Sequence, residues 1–360
     1  MDNYDIAFVS LVAKVLLFFV CTFVYYERKY ITEFDNNIWK FLILFLVLVF
    51  SVFYNMDFDY YRFQNNFYQV TKRDDLEKIY LLLFSFFPNY SLFRLGLWGF
   101  GLFIFCKSLK SIEANSLLGL IFFSFYYINT FSYARSSVAC LLAFYGIILF
   151  YNNSRYFIYG PIMILSCFMH KSIFFFLLIF YIAYYINIKW KVIAGFVVTM
   201  PILAYILSSI FKWIVNNIDM GLANSSMNVI LSGNNIKGFS LAYLLNLSPS
   251  ILFFFIFLTY YHHFKNYLSE EFEKITKGLI LLVVISCTFL FIPDGYMNLL
   301  FKRYINMALV PLFILATYMY SIFGVNQKVR YLTYVQALIM IAYGIHQYVD
   351  VDFSLLKLVK

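Results

Sequence analysis

The sequence predicts an all-α polytopic membrane protein of about 12 transmembrane helices, on three observations. Hydrophobic residues make up 63% of its 360 positions and charged residues only 12%, about half the charged share of an ordinary soluble domain. The mean hydropathy of +0.78 is more apolar surface than a packed core of this size can absorb, whereas lipid can. The apolar residues also fall into recurrent runs approaching the roughly 20 residues that span a bilayer. No polar stretch between them is long enough to fold alone, so residues 1–360 are expected to form one integral membrane domain.

Taken in order, these runs place helices near 6–26, 38–54, 91–106, 116–132, 136–151, 156–170, 172–188, 192–211, 241–261, 278–292, 304–323 and 331–348. The stretch 77–90, EKIYLLLFSFFPNY, is apolar but too short to cross, and Pro88 stops it. An interfacial helix is the expectation there. Two long loops, 55–76 (rich in charge and aromatics) and 212–240 (rich in Asn and Gly), are expected on the outer side, the first continuing into the interfacial helix to residue 90. A third polar stretch, 262–277, mixes both charge signs. The N-terminus, MDNYDIAF, is acidic and is followed by no small-residue cleavage site. The first apolar run therefore reads as a retained helix rather than a signal peptide. No internal repeat marks an inverted-repeat transporter.

The formal charge of +9 comes from 27 dispersed Lys and Arg. They form no basic stripe, so nucleic acid is not an expected partner; attraction to anionic headgroups accounts for the balance. The 46 Phe and 33 Tyr suit aromatic belts at the headgroup level. Cys21, Cys106, Cys140, Cys167 and Cys287 lie inside apolar runs without paired spacing and read as small hydrophobes rather than as a disulfide or zinc framework. No metal or cofactor is expected. Walker, GxSxG, HExxH and GxGxxG patterns are absent, which removes support for ATP-driven transport and serine hydrolysis. The Lys and Arg of the two sides come to a near tie, so the positive-inside rule does not set the orientation. With 55–90 outward, Arg135, Lys171, Lys302 and Arg303 all fall on the outer face beside helix ends.

Charge at the rim of a bilayer is costly, by about 2.5–3.5 kcal/mol at a span's centre, so these positions are the candidates for chemistry. Arg135 opens an apolar helix beside Ser136, Ala139 and Ala143; it either snorkels to headgroups or offers a guanidinium fork to a pair of phosphate oxygens. His170, Lys171 and Ser172 form a tight hairpin in which the imidazole is a structural hydrogen-bonding group, an acid/base or a phosphate contact. Lys302, Arg303 and Tyr304 open another helix and carry the same two readings as Arg135. Asp57, Asp59, Tyr60, Tyr61 and Arg62 follow the second helix directly. Glu77, at the start of the interfacial segment, is the carboxylate whose pKa scarce water would raise toward that of a general base. Lys14, deep in the first span, is expected to face the bundle and pair there. His262 and His263 carry no assignment.

Asp57–Tyr61, the Glu77-Lys-Ile-Tyr80 segment, Arg135 with Ala139, His170-Lys-Ser172 and Arg303 with Tyr304 occur in an order that resembles the EpsG family of Wzy-type polysaccharide polymerases. The resemblance runs from about residue 50 to 325. One departure is that the family's Arg and Gly-Thr-Asp before the Tyr are replaced by Tyr54-Asn-Met-Asp57-Phe-Asp59-Tyr60, leaving either aspartate to take the family's place. The resemblance implies a fold like the C-type glycosyltransferases and residence in the bacterial cytoplasmic membrane. It also implies joining of undecaprenyl-pyrophosphate-linked oligosaccharide repeats on the outer face, with a chain-length regulator as protein partner. In that chemistry Arg135, Arg303, Lys302 and Lys171 would hold the pyrophosphate, and Tyr60 and Tyr61 the sugar. Glu77, Asp57, Asp59 or His170 would serve the acceptor hydroxyl. A flippase, a ligase using the same donor and a membrane O-acyltransferase are the rival classes.

Overall fold

Inside hydrocarbon a backbone must satisfy its own N–H and C=O groups, and a helix does so within one segment. The computed structural model describes residues 3–27, 33–53, 64, 67–68, 78–127, 134–152, 154–185, 190–217, 241–288 and 295–358, and every regular element among them is helical. These are α1 (Asn3–Glu27), α2 (Glu33–Phe53), α3 (Lys78–Phe84), α4 (Tyr90–Ser111), α5 (Ser116–Phe122, continued by a π-turn Phe123–Tyr127) and α6 (Ala134–Tyr151). They continue with α7 (Tyr156–Met169), α8 (Ile173–Tyr185), α9 (Trp190–Asn217), α10 (Leu241–Phe264), α11 (Glu270–Thr288), α12 (Gly295–Phe323) and α13 (Gln327–Leu358).

Each apolar run predicted from sequence overlaps one of these helices. Four of them are long and apolar enough to cross a membrane: Phe8–Tyr25, Tyr90–Ser111, Ala134–Tyr151 and Arg303–Phe323. Shorter apolar helices cover Asn36–Val52, Ser116–Tyr126, Tyr156–Met169, Ile173–Tyr185 and Lys191–Met200. The helix expected near 77–90 is present as α3 and stops at Phe84, ahead of Pro88. Asn89 then caps α4 by accepting from Leu92 N at 2.9 Å, and Asn115 does the same for α5 from Leu118 N at 2.9 Å. The polar stretch 262–277 is largely helical, because Ser269 accepts from Phe272 N at 3.2 Å and starts α11 well before its apolar part. The pairs Lys274–Glu270 (2.8 Å) and Lys277–Glu273 (2.7 Å) then support that first polar turn.

Helix α6 is the hub, packed against α4, α7, α8, α12. Small residues set the close approaches. A Cβ on Gly101 would come within 2.9 Å of Val138 on α6, and one on Gly278 within 2.6 Å of Phe180 on α8. With no hydrophobic drive between helices in lipid, such contacts provide much of the cohesion. Helix α1 packs against both α2 and α13, joining the two ends of the chain.

The elements alternate in direction, so the bundle has two distinct ends. At one, Asn115 N donates to Ser321 Oγ at 2.9 Å, Phe264 stacks on Phe323 at 4.0 Å, and Tyr151 donates its hydroxyl to Phe180 O at 2.8 Å. Tyr151, Tyr181, Tyr184 and Tyr185 gather there, with Lys274 Nζ over the Tyr184 ring at 5.0 Å. This is an aromatic tier suited to a headgroup boundary. The other end holds the N-termini of α4, α6, α8 and α12. Lys14 is fully buried and faces the bundle as expected, its Nζ 5.1 Å from the Phe50 ring of α2.

Candidate active site

Three of the residues singled out by sequence meet at this second end. Arg135 stands in the first turn of α6, and its guanidinium lies over the ring of Tyr80 at 5.4 Å. Tyr80 belongs to α3, is fully buried and packs edge-on to Phe93 of α4 at 6.3 Å. The short helix thus becomes a platform under the arginine; a flat guanidinium stacks on such a face as an ammonium does not.

His170 terminates α7. Its N–H donates to Ser166 O at 3.1 Å, and its C=O accepts from Ile173 N at 3.0 Å where α8 begins. The imidazole Nδ1 lies 2.6 Å from Ser172 Oγ and 3.3 Å from Ser172 N. Burial, then the charges of Arg135 and of Arg303, push the ring down to about 3. It is therefore neutral at physiological pH, and both arginines are near enough to act on it. Arg303 is exposed on α12, one residue before Tyr304, whose ring meets Phe175 of α8 edge-on at 5.4 Å. The contact ties the start of the apolar part of α12 to the His170 hairpin. Lys171 projects from the hairpin and is exposed. Lys302 is placed in α12 by its backbone, its side chain lying outside the described residues. Asp57, Asp59, Tyr60, Tyr61, Arg62 and Glu77 also lie outside them.

Beside this group is an aromatic cluster centred on Phe67, which meets Phe84 at 5.0 Å, Tyr90 at 5.9 Å and Phe93 at 6.2 Å. It anchors part of the 55–76 region against α3 and α4. Two residues that carry no role in the sequence reading belong here. Tyr80 closes the Glu77-Lys-Ile-Tyr80 segment, but no task is attached to its ring there. Arg94 sits one turn into α4, 1% exposed, and donates Nε to Ser51 O at 3.0 Å. Ser51 is in the last turn of α2, where carbonyls lack helical donors and a cation is favoured. Only the depth of Arg94 inside an apolar run signalled it, and a snorkelling arginine gives the same signal.

Chemically, Arg135 and Arg303 both act electrostatically on the His170 ring at one end of the described helices, a grouping of positive charge that can attract an anion. Long apolar helices with charge gathered at their rim are the marks of an integral membrane protein. The sequence profile of the EpsG family matches residues 36–357. The chain belongs to the EpsG family, a family of Wzy-like polysaccharide polymerases, and is a multi-pass membrane protein. No curated protein and no solved structure matches it.

Proposed function

We propose that the chain polymerises undecaprenyl-pyrophosphate-linked oligosaccharide repeats into surface polysaccharide at the outer face of the bacterial cytoplasmic membrane, with about twelve spans and both long loops outward. The observation that supports this reading is that Arg135, over the Tyr80 ring, and Arg303, beside the Tyr304–Phe175 contact, both act on the His170 ring. In the reaction an acceptor hydroxyl attacks the anomeric carbon of the donor repeat. The bond from that carbon to the pyrophosphate oxygen breaks, and undecaprenyl pyrophosphate leaves. A carboxylate takes the hydroxyl proton, Glu77 first and Asp57 or Asp59 next. Arg135 and Arg303, supplemented by Lys171 and Lys302, neutralise charge building on the leaving group. Tyr60 and Tyr61 offer rings for the sugar. A chain-length regulator is the protein partner such a polymerase would work with.

The cations favour this over a flippase, because they gather at one end instead of lining a path through the bundle. A ligase differs only in its acceptor, and the same assay separates the two. Full-length protein reconstituted with purified lipid-linked repeat should yield a ladder of lengthening products and free undecaprenyl pyrophosphate. Transbilayer movement of the donor without any ladder would instead make the protein a flippase; one transfer to a foreign acceptor without lengthening would make it a ligase. In intact cells, cysteine placed at Lys171 should react with a membrane-impermeant maleimide, and cysteine at exposed Tyr267, at the opposite end, should not. The reverse pattern would overturn the orientation and the reading with it.

A further inference from the structure

A histidine at such a rim can act as a base, but the surroundings of His170 assign it another task. A backbone N–H can only donate, so the contact from Ser172 N to Nδ1 at 3.3 Å makes Nδ1 an acceptor. The Ser172 hydroxyl, 2.6 Å from the same nitrogen, must then donate to it as well. A neutral ring has one proton, and with Nδ1 occupied as acceptor it sits on Nε2. Nε2 lies on the far side of the ring from Ser172. The hairpin leaves the ring little freedom, since His170 both closes α7 through Ser166 O and receives the first N–H of α8.

The groups that act on the ring are Arg135 from α6 and Arg303 from α12; Lys171 is its neighbour in the hairpin. Burial disfavours a positive charge on the ring, and the two arginines disfavour it further. The ring is held down at about 3, and a nitrogen that resists protonation so strongly is a poor acceptor for a substrate proton.

We propose that Ser172 is a positioning residue that locks His170 in its Nε2–H tautomer, so that the imidazole serves as a neutral hydrogen-bond donor to a pyrophosphate oxygen held between Arg135 and Arg303. This rests on the polymerase reading only for the identity of the natural ligand. The built-in donor adds a directed contact to the anion without adding charge to an already cationic site. It also leaves base catalysis to the carboxylates.

The test uses full-length protein in nanodiscs labelled with ¹⁵N-histidine, the His170 signals being identified by their loss in His170→Gln. Nε2 should give a protonated, pyrrole-type signal and Nδ1 an unprotonated, pyridine-type signal, unchanged from about pH 5 to 8. Adding inorganic pyrophosphate should shift the Nε2 signal, and Ser172→Ala should mix the tautomers and weaken that response, with Ser172→Thr restoring it. In polymerisation, His170→Gln, whose amide nitrogen stands near the place of Nε2, should retain far more activity than His170→Asn, whose amide stands near Nδ1. A protonated Nδ1, a titration within that pH range, or no response to pyrophosphate overturns the proposal. These spectra stand apart from polymer synthesis, so loss of the ladder with the expected spectra would count against the polymerase reading alone.

Discussion

Glu77→Gln is expected to slow polymerisation by about a hundredfold or more, the usual contribution of a positioned general base, with protein level and membrane insertion unchanged. Glu77 precedes Tyr80 by three residues, which limits the separation of their Cα atoms to about 11 Å. Tyr80 in turn carries the Arg135 guanidinium on its ring. A carboxylate tethered that closely to the proposed leaving-group site is within range of a hydroxyl attacking there. Glutamine keeps the length and hydrogen-bonding shape and removes only the basicity. The rate of a single transfer from purified lipid-linked repeat is the measurement, taken across pH. An unchanged rate in Glu77→Gln with a collapse in Asp57→Asn or Asp59→Asn would move the base to the loop aspartates.

Arg135→Lys and Arg303→Lys are each expected to cost about a hundredfold in the same assay, equivalent to roughly 3 kcal/mol of lost transition-state stabilisation. Lysine keeps the charge and can still point a cation at headgroups or at the Tyr80 ring. What it loses is the planar fork that meets two phosphate oxygens together. The substitution thus separates anion gripping from snorkelling, which requires only a positive tip. The loss should appear mainly in turnover, because charge on the leaving group grows as the anomeric bond breaks. Wild-type polymer length from both lysine variants would show that the arginines only anchor their helices.

Hydropathy made the helices legible because lipid imposes a length and a composition on anything that crosses it. It said less about where helices end. The early start of α11 depends on the Ser269 cap and on Glu–Lys pairs, which belong to local polar chemistry that an apolar window does not register. The basic members of the site were visible as charges at the ends of apolar runs; the structure keeps Arg135 in the first turn of α6 but starts α12 at Gly295, so Arg303 lies two turns inside a helix it was expected to open. Their convergence was not visible, since it depends on the α7–α8 hairpin and the Tyr304–Phe175 contact bringing distant segments together. Tyr80 stood in the Glu77-Lys-Ile-Tyr80 segment, yet among 33 Tyr and 46 Phe nothing in the letters marks it as the ring that an arginine will cover. The role of Ser172 required the coordinates of a nitrogen. Of the carboxylates expected to act as base, Glu77 is tied to the site by its three-residue reach to Tyr80.

Arg94 has a consequence for biogenesis. Its guanidinium never meets solvent and donates to a carbonyl at the end of α2. Entering the bilayer alone, α4 would carry that charge unshielded one turn inside its end, at part of the roughly 2.5–3.5 kcal/mol that a span's centre costs on insertion scales. If α2 is already beside it, the carbonyl waiting at Ser51 accepts the charge and most of that penalty disappears. The two helices are therefore suited to leaving the translocation machinery as a pair, ahead of α6 and its Arg135.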